Sequence, residues 1–526
     1  MARVLQPRHQ VVTRRQRKLV RWIIGVAFGV MLGLWIAVLI LSRAPILREQ
    51  LVRTLNDRLD ADVELGAFEV HTFPLVRIHG DQLKLRLKGQ TNPAPFIEVR
   101  HFEVTGGLFG MLRRHRRFSS VTLDGLRITI PPRTPHDKST GKATASATLA
   151  GNIVIGELTS KDAQLVIVPK NPLKEPKVFV IHDLQLDSVG FDRSIPFTAT
   201  LTNAIPKGEI ATQGSFGPWV KGDPGATPVR GRYSFDRADL STIHGIGGTL
   251  DSHGDFTGML SEIDVRGKTS TPNFQIDVGG APVPLSTEFH AVVDGTNGDT
   301  YLKEVRGRLA ETDIYATGAV VSEEGIKGRS VKVDVAIENG RIQDVLKLAV
   351  DAPKPVMLGH LALHAALLLP PGKDAVADRL ALNGRFALRD TRFTDAGVQQ
   401  QLAMLSRRAQ GKKPDEPIGP IESDMQGRFA LRNGVMRFDD LQFDVPGASV
   451  DLMGHYGLRN EQVDFVGTLG MEAPVSKAMG GGIKSLLLKP IDPLFRKHGK
   501  GAVVPITIKG RRAQPKFGLD WGKVFK

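Results

Sequence analysis

Between Gly427 and Leu469 apolar and charged side chains alternate with a period of two. Phe429 and Leu431 stand on one side, and Met436 and Phe438 follow beyond Asn433-Gly434. Leu441, Phe443 and Val445 continue the series, then Val450 and Leu452, then Val463, Phe465 and Leu469. Arg428, Arg432, Arg437, Gln442, Asp444, Asp451 and Asp464 fall among them. Alternation of this kind predicts strands with one dry face and one wet face. Asn-Gly is the turn that matches strand twist, and Asp439-Asp440 and Pro446-Gly447 read as further punctuation. The hexapeptide Gly-Arg-Phe-Ala-Leu-Arg occurs at Gly384–Arg389 and again at Gly427–Arg432, so Phe386 and Leu388 repeat the unit.

The same pattern begins far upstream. Val63 and Leu65, Phe68 and Val70, Val76 and Ile78, then Leu83, Leu85 and Leu87 give successive dry faces. From Asn152 to about Gly340 strand follows strand, broken by Asp-Gly, Asn-Gly and Gly-Gly. Helical spacing interrupts only briefly. A turn is expected at Asp239–Ile243, a short helix at Ile342–Leu348, and an amphipathic one carrying Val398, Leu402 and Leu405. Asp374–Leu388 is expected to resume the sheet, Asp137–Thr148 and Gly411–Pro420 to be loops, and Pro474–Leu488 to be a Gly-interrupted helical stretch. The last strands fall at Val503–Ile508 and Lys516–Leu519.

Trp22–Leu41 breaks the rhythm, with no charged residue across twenty positions that include Trp22, Trp35 and Leu41. A helix of that length spans roughly 30 Å, the hydrocarbon thickness of a bilayer. Arg14, Arg15, Arg17, Lys18 and Arg21 precede it and are expected to hold the N-terminus in the cytoplasm. The apolar run is too long for a signal-peptide core, and Pro45 follows Ala44 where a cleavage site would be sought, so an uncleaved anchor is expected. After it, Pro45 opens a helix on which Ile46, Leu47, Leu51, Leu55 and Leu59 share a stripe. That helix either caps the first strands or lies along the membrane surface.

Composition narrows the class. The 526 residues include Gly 56 and Pro 32, which suits a turn-rich β chain rather than a disordered one. Phe (24) far outnumbers Trp and Tyr (4 each), against the aromatic girdles of an outer-membrane barrel. With Cys 0, disulfides, thiol catalysis and Cys-ligated metals are excluded. The net charge of +15 sits at the two ends, within Met1–Arg21 and Lys477–Lys526, and the body is nearly neutral. A nucleic-acid-binding surface would instead carry its basic patch on the folded body, so no nucleic-acid partner is expected.

Enzyme motifs fail one by one. Gly480–Ser485 (GGGIKS) has Ile483 where a phosphate loop needs Gly before its Lys. Gly245–Leu250 (GIGGTL) lacks the third glycine of a dinucleotide fingerprint. Asp294–Glu304 has Thr296 and Gly298 at the third and fifth ligand positions of a calcium loop, so a hairpin turn is expected there. Neither HExxH nor G-x-S-x-G occurs, and His182, His360 and His364 sit at strand-face spacing without ligand partners. No catalytic residue, metal site or cofactor is expected.

Leu55–Arg86 (LNDRLDADVELGAFEVHTFPLVRIHGDQLKLR) behind an N-terminal anchor resembles the opening of AsmA-family proteins. Asp239–Leu260 and Gly340–Leu348 resemble that family's middle elements, and Gly384–Leu458 resembles its C-terminal region. The resemblance implies an inner-membrane protein of a double-membrane bacterium with its bulk in the periplasm and a role in outer-membrane biogenesis. It also implies kinship with the bridge-like lipid-transfer group of TamB and YhdP, and no catalytic residues.

The expected architecture is mainly β: a long repetitive antiparallel sheet curled into an elongated, taco-like groove, with one N-terminal transmembrane helix and a few short helices. Residues 1–21 form a basic tail, 22–41 the anchor, 42–150 an AsmA-like start, 151–370 a repetitive β region and 371–526 an AsmA-like C-terminal region. The candidate groove lining is Phe386, Leu388, Phe429, Leu431, Phe438, Leu441, Phe443, Val445, Val450, Leu452, Val463, Phe465 and Leu469. The expected partners are the inner membrane, phospholipid, and outer-membrane or periplasmic proteins at the C-terminus. Two alternatives stay open from sequence: the apolar faces close on each other as ordinary core, or the protein is a non-transporting membrane-anchored scaffold that influences outer-membrane protein assembly.

Overall fold

The computed structural model describes residues 61–71, 76–87, 95, 97–106, 116–130, 153–168, 176–190, 192–220, 223–277, 280–323, 326, 328–372, 374–412, 421–473, 502–511 and 514–519. Trp22, Trp35, Leu41, the flank Arg14, Arg15, Arg17, Lys18 and Arg21, and the helix expected after Pro45 lie outside the described residues, as do Asp137–Thr148 and Pro474–Leu488. Among the described residues no helix is long and apolar enough to cross a membrane. The chain divides into two compact units, Met1–Val166 with Asp183–Phe191, and Ile167–His182 with Asp192–Lys526.

The first unit contains β1 (Ala61–Glu64), β2 (Phe68–His71), β3 (Val76–Leu87), β4 (Ile97–Gly106), β5 (Arg116–Asp124), β6 (Arg127–Ile130) and β7 (Ile153–Ile167), and β8 (Lys177–Val189) begins outside it. Antiparallel pairing joins β3 to β1, β2 and β4, and joins β4 to β5 and β6. Alternate residues Val63, Val76, Leu85, Val99, Phe102 and Val121 are buried. The pairing of β5 with β7 is parallel, which corrects the expectation of a wholly antiparallel sheet. Parallel neighbours need a crossover of a dozen or more residues, and the connection over residues 131–152 supplies that length.

In the second unit the strands are β9 (Ile195–Ala204), β10 (Lys207–Phe216), β11 (Pro228–Asp239), β12 (Ile246–Gly247), β13 (Thr249–Met259), β14 (Glu262–Ile276), β15 (Val283–Val293), β16 (Thr300–Leu309) and β17 (Thr312–Ser322). They continue with β18 (Arg329–Arg341), β19 (Met357–Leu369), β20 (Ala381–Phe393), β21 (Ser423–Arg432), β22 (Val435–Val445), β23 (Ala448–Gly457), β24 (Gln462–Met471), β25 (Ala502–Arg511) and β26 (Gln514–Leu519). The strands pair antiparallel in chain order from β9 to β26, except that β11 reaches past β12 to β13 and the short β12 pairs with β14. Asn433 and Gly434 join β21 to β22 with φ of 52° and 71°, the two positive values that a hairpin turn of this hand requires.

Asp439-Asp440 does not end a strand, as the sequence suggested. It sits inside β22 at a register shift between Phe438 and Leu441. A bulge absorbs the extra residue and returns Leu441 to the face that Phe438 occupies. The same device follows Leu388, where Arg389-Asp390 precede Thr391, and follows Phe235, where Asp236-Arg237 precede Ala238. Two polar residues in succession inside these strands therefore mark bulges, not breaks.

Among the described residues three α-helices interrupt the sheet: α1 (Ile342–Ala349), α2 (Val376–Arg379) and α3 (Ala396–Ala409). The single turn α2 replaces the start of a strand expected from Asp374. Arg379 holds it by donating to the carbonyls of Asp374 and Pro370, and Asp378 pairs with Arg459. Helix α1 buries Ile342 and Leu348 against Ile337, Met357, Leu361 and Leu388 on one side and Val283 and Leu309 on the other. Helix α3 starts at Asp395, whose Oδ1 accepts from the Val398 N–H at 2.9 Å, and it packs Leu402, Leu405 and Ala409 on Ile421, Val445 and Ala448. Helix α1 follows β18 and α3 follows β20, strands of the same direction, so the tightest cores collect at one end of the strands.

Candidate functional site

The register of the second unit aligns two long cross-strand rows on one face. One runs Phe197, Gly214, Gly231, Phe256, Val265, Ala291, Leu302 and Gly318 across β9 to β17. It continues through Val333, Leu367, Leu382, Leu431, Met436, Tyr456, Val463 and Gly510 to β25. The neighbouring row runs Ala199, Thr212, Tyr233, Gly254, Gly267, Phe289, Val305 and Ala316. It continues through Val335, Ala365, Gly384, Phe429, Phe438, Gly454, Phe465 and Ile508. No charged residue stands in either row. Direct cross-strand partners share a face, so the apolar character is continuous through the β9–β25 stretch.

All thirteen residues expected to line a groove fall on this one face. Each pairs across strands with another of them or with an apolar or glycine neighbour, as in Gly427 with Leu441 and Phe443 with Val450. Their burial separates them. Leu388, Leu431, Val445 and Phe465 are buried, whereas Phe386, Phe429, Phe438, Leu441, Phe443, Val450, Leu452, Val463 and Leu469 are half-buried. Leu388 and Phe386 belong to the cluster under α1, and Val445, Phe443 and Leu469 to the cluster under α3. Helices therefore cover the lining at one end of the strands, and the two middle rows, apart from the buried Ala199, Ala291, Leu431 and Phe465, are left as partly exposed side chains.

A rule in the sequence explains how the rows fit together. Gly-x-aromatic recurs at Gly231-Arg232-Tyr233, Gly254-Asp255-Phe256, Gly384-Arg385-Phe386 and Gly427-Arg428-Phe429. The aromatic ring of one strand lies over the glycine of the next. Phe256 Cζ is 2.6 Å from where a Cβ on Gly231 would be, and Phe429 Cζ is 2.7 Å from that point on Gly384. Rings laid on cross-strand glycines pack a surface that glycine alone would leave bare. The repeat would have added Tyr233 and Phe256 to the sequence-based lining, which stopped at β20.

The reverse face carries the charge. His290 and Arg266 pair with Asp264 at 2.5 and 3.3 Å, Arg308 with Asp313 at 3.1 Å, Arg428 with Asp440 at 3.5 Å and Lys509 with Asp464 at 3.7 Å. The hydrogen bond from His290 holds the Asp264 carboxyl below the usual carboxylate range, and Lys268 does the same to Glu288. Among the described residues of the apolar face the perturbed group is Tyr233. Burial raises its pKa against the opposing hydrogen bond to Ser252, so it stays a neutral phenol.

Among the described residues no group of His, Cys, Asp and Glu could hold a metal ion. Asp294 closes the β15–β16 turn by accepting from the Thr296 N–H and hydroxyl, at 2.8 and 2.5 Å, as a hairpin rather than a calcium loop requires. His182 bonds to Thr202 at 2.7 Å and His364 faces Glu338 at 3.5 Å, both as strand-face pairs. Comparison with family models, with curated proteins and with solved structures returned no match to this chain.

Proposed function

We propose that the apolar face of the second unit binds phospholipid acyl chains and lets them pass along the strands' common surface. The protein is then an inner-membrane-anchored, periplasmic component of outer-membrane biogenesis, held by Trp22–Leu41, in keeping with the AsmA-like motifs. The observation that carries this reading is the pair of cross-strand rows, uncharged over β9 to β25 and for the most part half-buried. Burying hydrocarbon is worth about 0.8 kcal/mol per methylene, so such a surface holds an acyl chain firmly. Each row offers one apolar step after another, so a chain can shift by one strand without crossing a charged barrier.

Glycine placement supports a sheet that curls toward this face. A Cβ on Gly254 would lie 2.8 Å from the Gly267 Cα, and one on Gly454 would lie 2.7 Å from the Phe465 Cα. Neighbouring backbones approach that closely on the inside of a bend, where only glycine fits. A curled sheet shelters tails within and leaves head groups in water, which is the groove expected from the alternation.

The test is photo-crosslinking in cells. A crosslinker replacing Phe438 or Val333, on the half-buried rows, should capture phospholipid, and one replacing Thr257 or Asp451, on the reverse face, should not. Capture of protein alone at Phe438 and Val333 would sink the lipid reading and favour the scaffold.

A further inference from the structure

The charged face carries a feature that the apolar face does not use. A furrow of about 740 Å³ crosses β16 to β21 between two cross-strand rows. One row is Tyr315, Ala336, His364, Arg385 and Arg428, each the direct partner of the next. Across from it run Thr317, Asp334, Ala366 and Asn383. Ala336 and Ala366 place methyl groups where the flanking positions carry long side chains, and the missing volume is the furrow.

Its two ends differ in charge. Glu304 lines the end near Tyr315, a residue 48% exposed, and Arg385 and Arg428 line the other. Arg385 and Arg428 are direct antiparallel partners, and like charges so placed repel. Arg428 has Asp440 at 3.5 Å, but among the described residues no carboxylate pairs with Arg385. Two guanidinium forks side by side match the oxygens of a phosphate or carboxylate. Tyr315 and Arg385 are three strand spacings apart, roughly 14 Å.

We propose that this furrow binds an elongated anionic amphiphile, with a phosphate or carboxylate head between Arg385 and Arg428. The alkyl or aryl tail lies over Ala336 and Ala366 toward Tyr315. Glu304 and Asp334 repel the head from the far end and so fix the direction of binding. The site is on the opposite face from the acyl-chain rows and stands or falls independently of them.

The full chain in nanodiscs is titrated with decyl phosphate, decanoate and inorganic phosphate. The first two separate a phosphate head from a carboxylate head, and the third reads the head alone. Decyl phosphate or decanoate should bind about tenfold or more tighter than inorganic phosphate, and R385Q/R428Q should lose about tenfold of that affinity. A336F, which fills the furrow, should weaken the amphiphile and leave inorganic phosphate unchanged. R385K/R428K keeps the charge without the fork and should also weaken the amphiphile. Circular dichroism confirms that each variant folds. Equal amphiphile uptake by the parent chain and both double variants would place the amphiphile in the bilayer or on the apolar rows and overturn the site. Inorganic phosphate binding as tightly as the amphiphiles would overturn it too, as mere surface charge.

Discussion

Gly454 and Gly470 are both strand glycines, yet they have opposite surroundings. A Cβ on Gly454 would meet the Asp464 carbonyl oxygen and the Phe465 Cα, whereas one on Gly470 would find its nearest neighbour, the Ser449 oxygen, 3.7 Å away. G454A should therefore cost about 1–3 kcal/mol through forced backbone movement. G470A should be neutral or slightly stabilising, because alanine gives up less backbone freedom on folding. Urea midpoints of the two variants decide it, and equal midpoints would refute the close-approach account. Asp264 supplies a second prediction at this scale. Its folded carboxyl titrates below its unfolded value of about 3.9, so the stability it contributes is present above that pH and is lost as pH falls through the lower, folded value. Between pH 5 and about pH 2.5 the melting temperature of D264N should fall less steeply than that of the parent chain. Parallel slopes would remove Asp264 from the acid response.

At the scale of elements, the hairpin ends are fastened by side chains rather than by the ladder alone. Arg329 at the start of β18 pairs with Asp299 at 3.2 Å and donates to the carbonyls of Asn297, Gly298 and Val320. Asp299 in turn accepts from the Ser322 N–H and hydroxyl at 2.9 and 3.0 Å. One guanidinium thus ties the β15–β16 turn to the β17–β18 hairpin. With side chains 23% and 14% exposed the pair is largely out of water, so R329A leaves a carboxylate without its counter-charge and should cost about 2 kcal/mol. Hydrogen exchange should speed up in residues 294–300 and 320–330 and hardly change at Phe438; uniform acceleration would mean a global effect instead. The helices fasten the other end, where the hydroxyl of Thr312 and the N–H of Glu311 both donate to Asp344 of α1, at 2.8 and 3.2 Å.

At the scale of the molecule, the second unit is a ladder in which each strand pairs with its neighbours in the chain. Stability in such a ladder is close to a sum of strand and nearest-neighbour terms, as in repeat proteins, and it is not shared evenly. Trp219, between β10 and β11, and a tryptophan introduced at Phe438 should therefore report different urea midpoints. Coincident transitions would show one cooperative core and count against open, half-buried rows. The pattern also accounts for what the sequence revealed and what it hid. Period-two alternation made the strands of β20 to β24 readable, along with α1 and α3 from their apolar stripes. It hid the bulges, because Asp439-Asp440 and Arg389-Asp390 look like breaks until a partner strand shows where the register resumes. It also hid α2, whose four residues carry too short a pattern to oppose their strand-like flanks.

By itself the sequence determined which side chains share a face between one bulge and the next, since a two-residue period leaves each such stretch only one way to keep charge in water. It also determined where the chain turns back, at Asn433-Gly434 and Asp294–Gly298, through residues that accept positive φ or bond to their own backbone. Only the tertiary structure decided which apolar residues become core. Leu388 and Val445 are covered because α1 and α3 fold over one end of the strands. Phe429 and Phe438 have the same chemistry and the same alternation, yet they stay half-buried, because among the described residues no helix packs over them. Coverage depends on elements far away in the chain, and no local pattern encodes it.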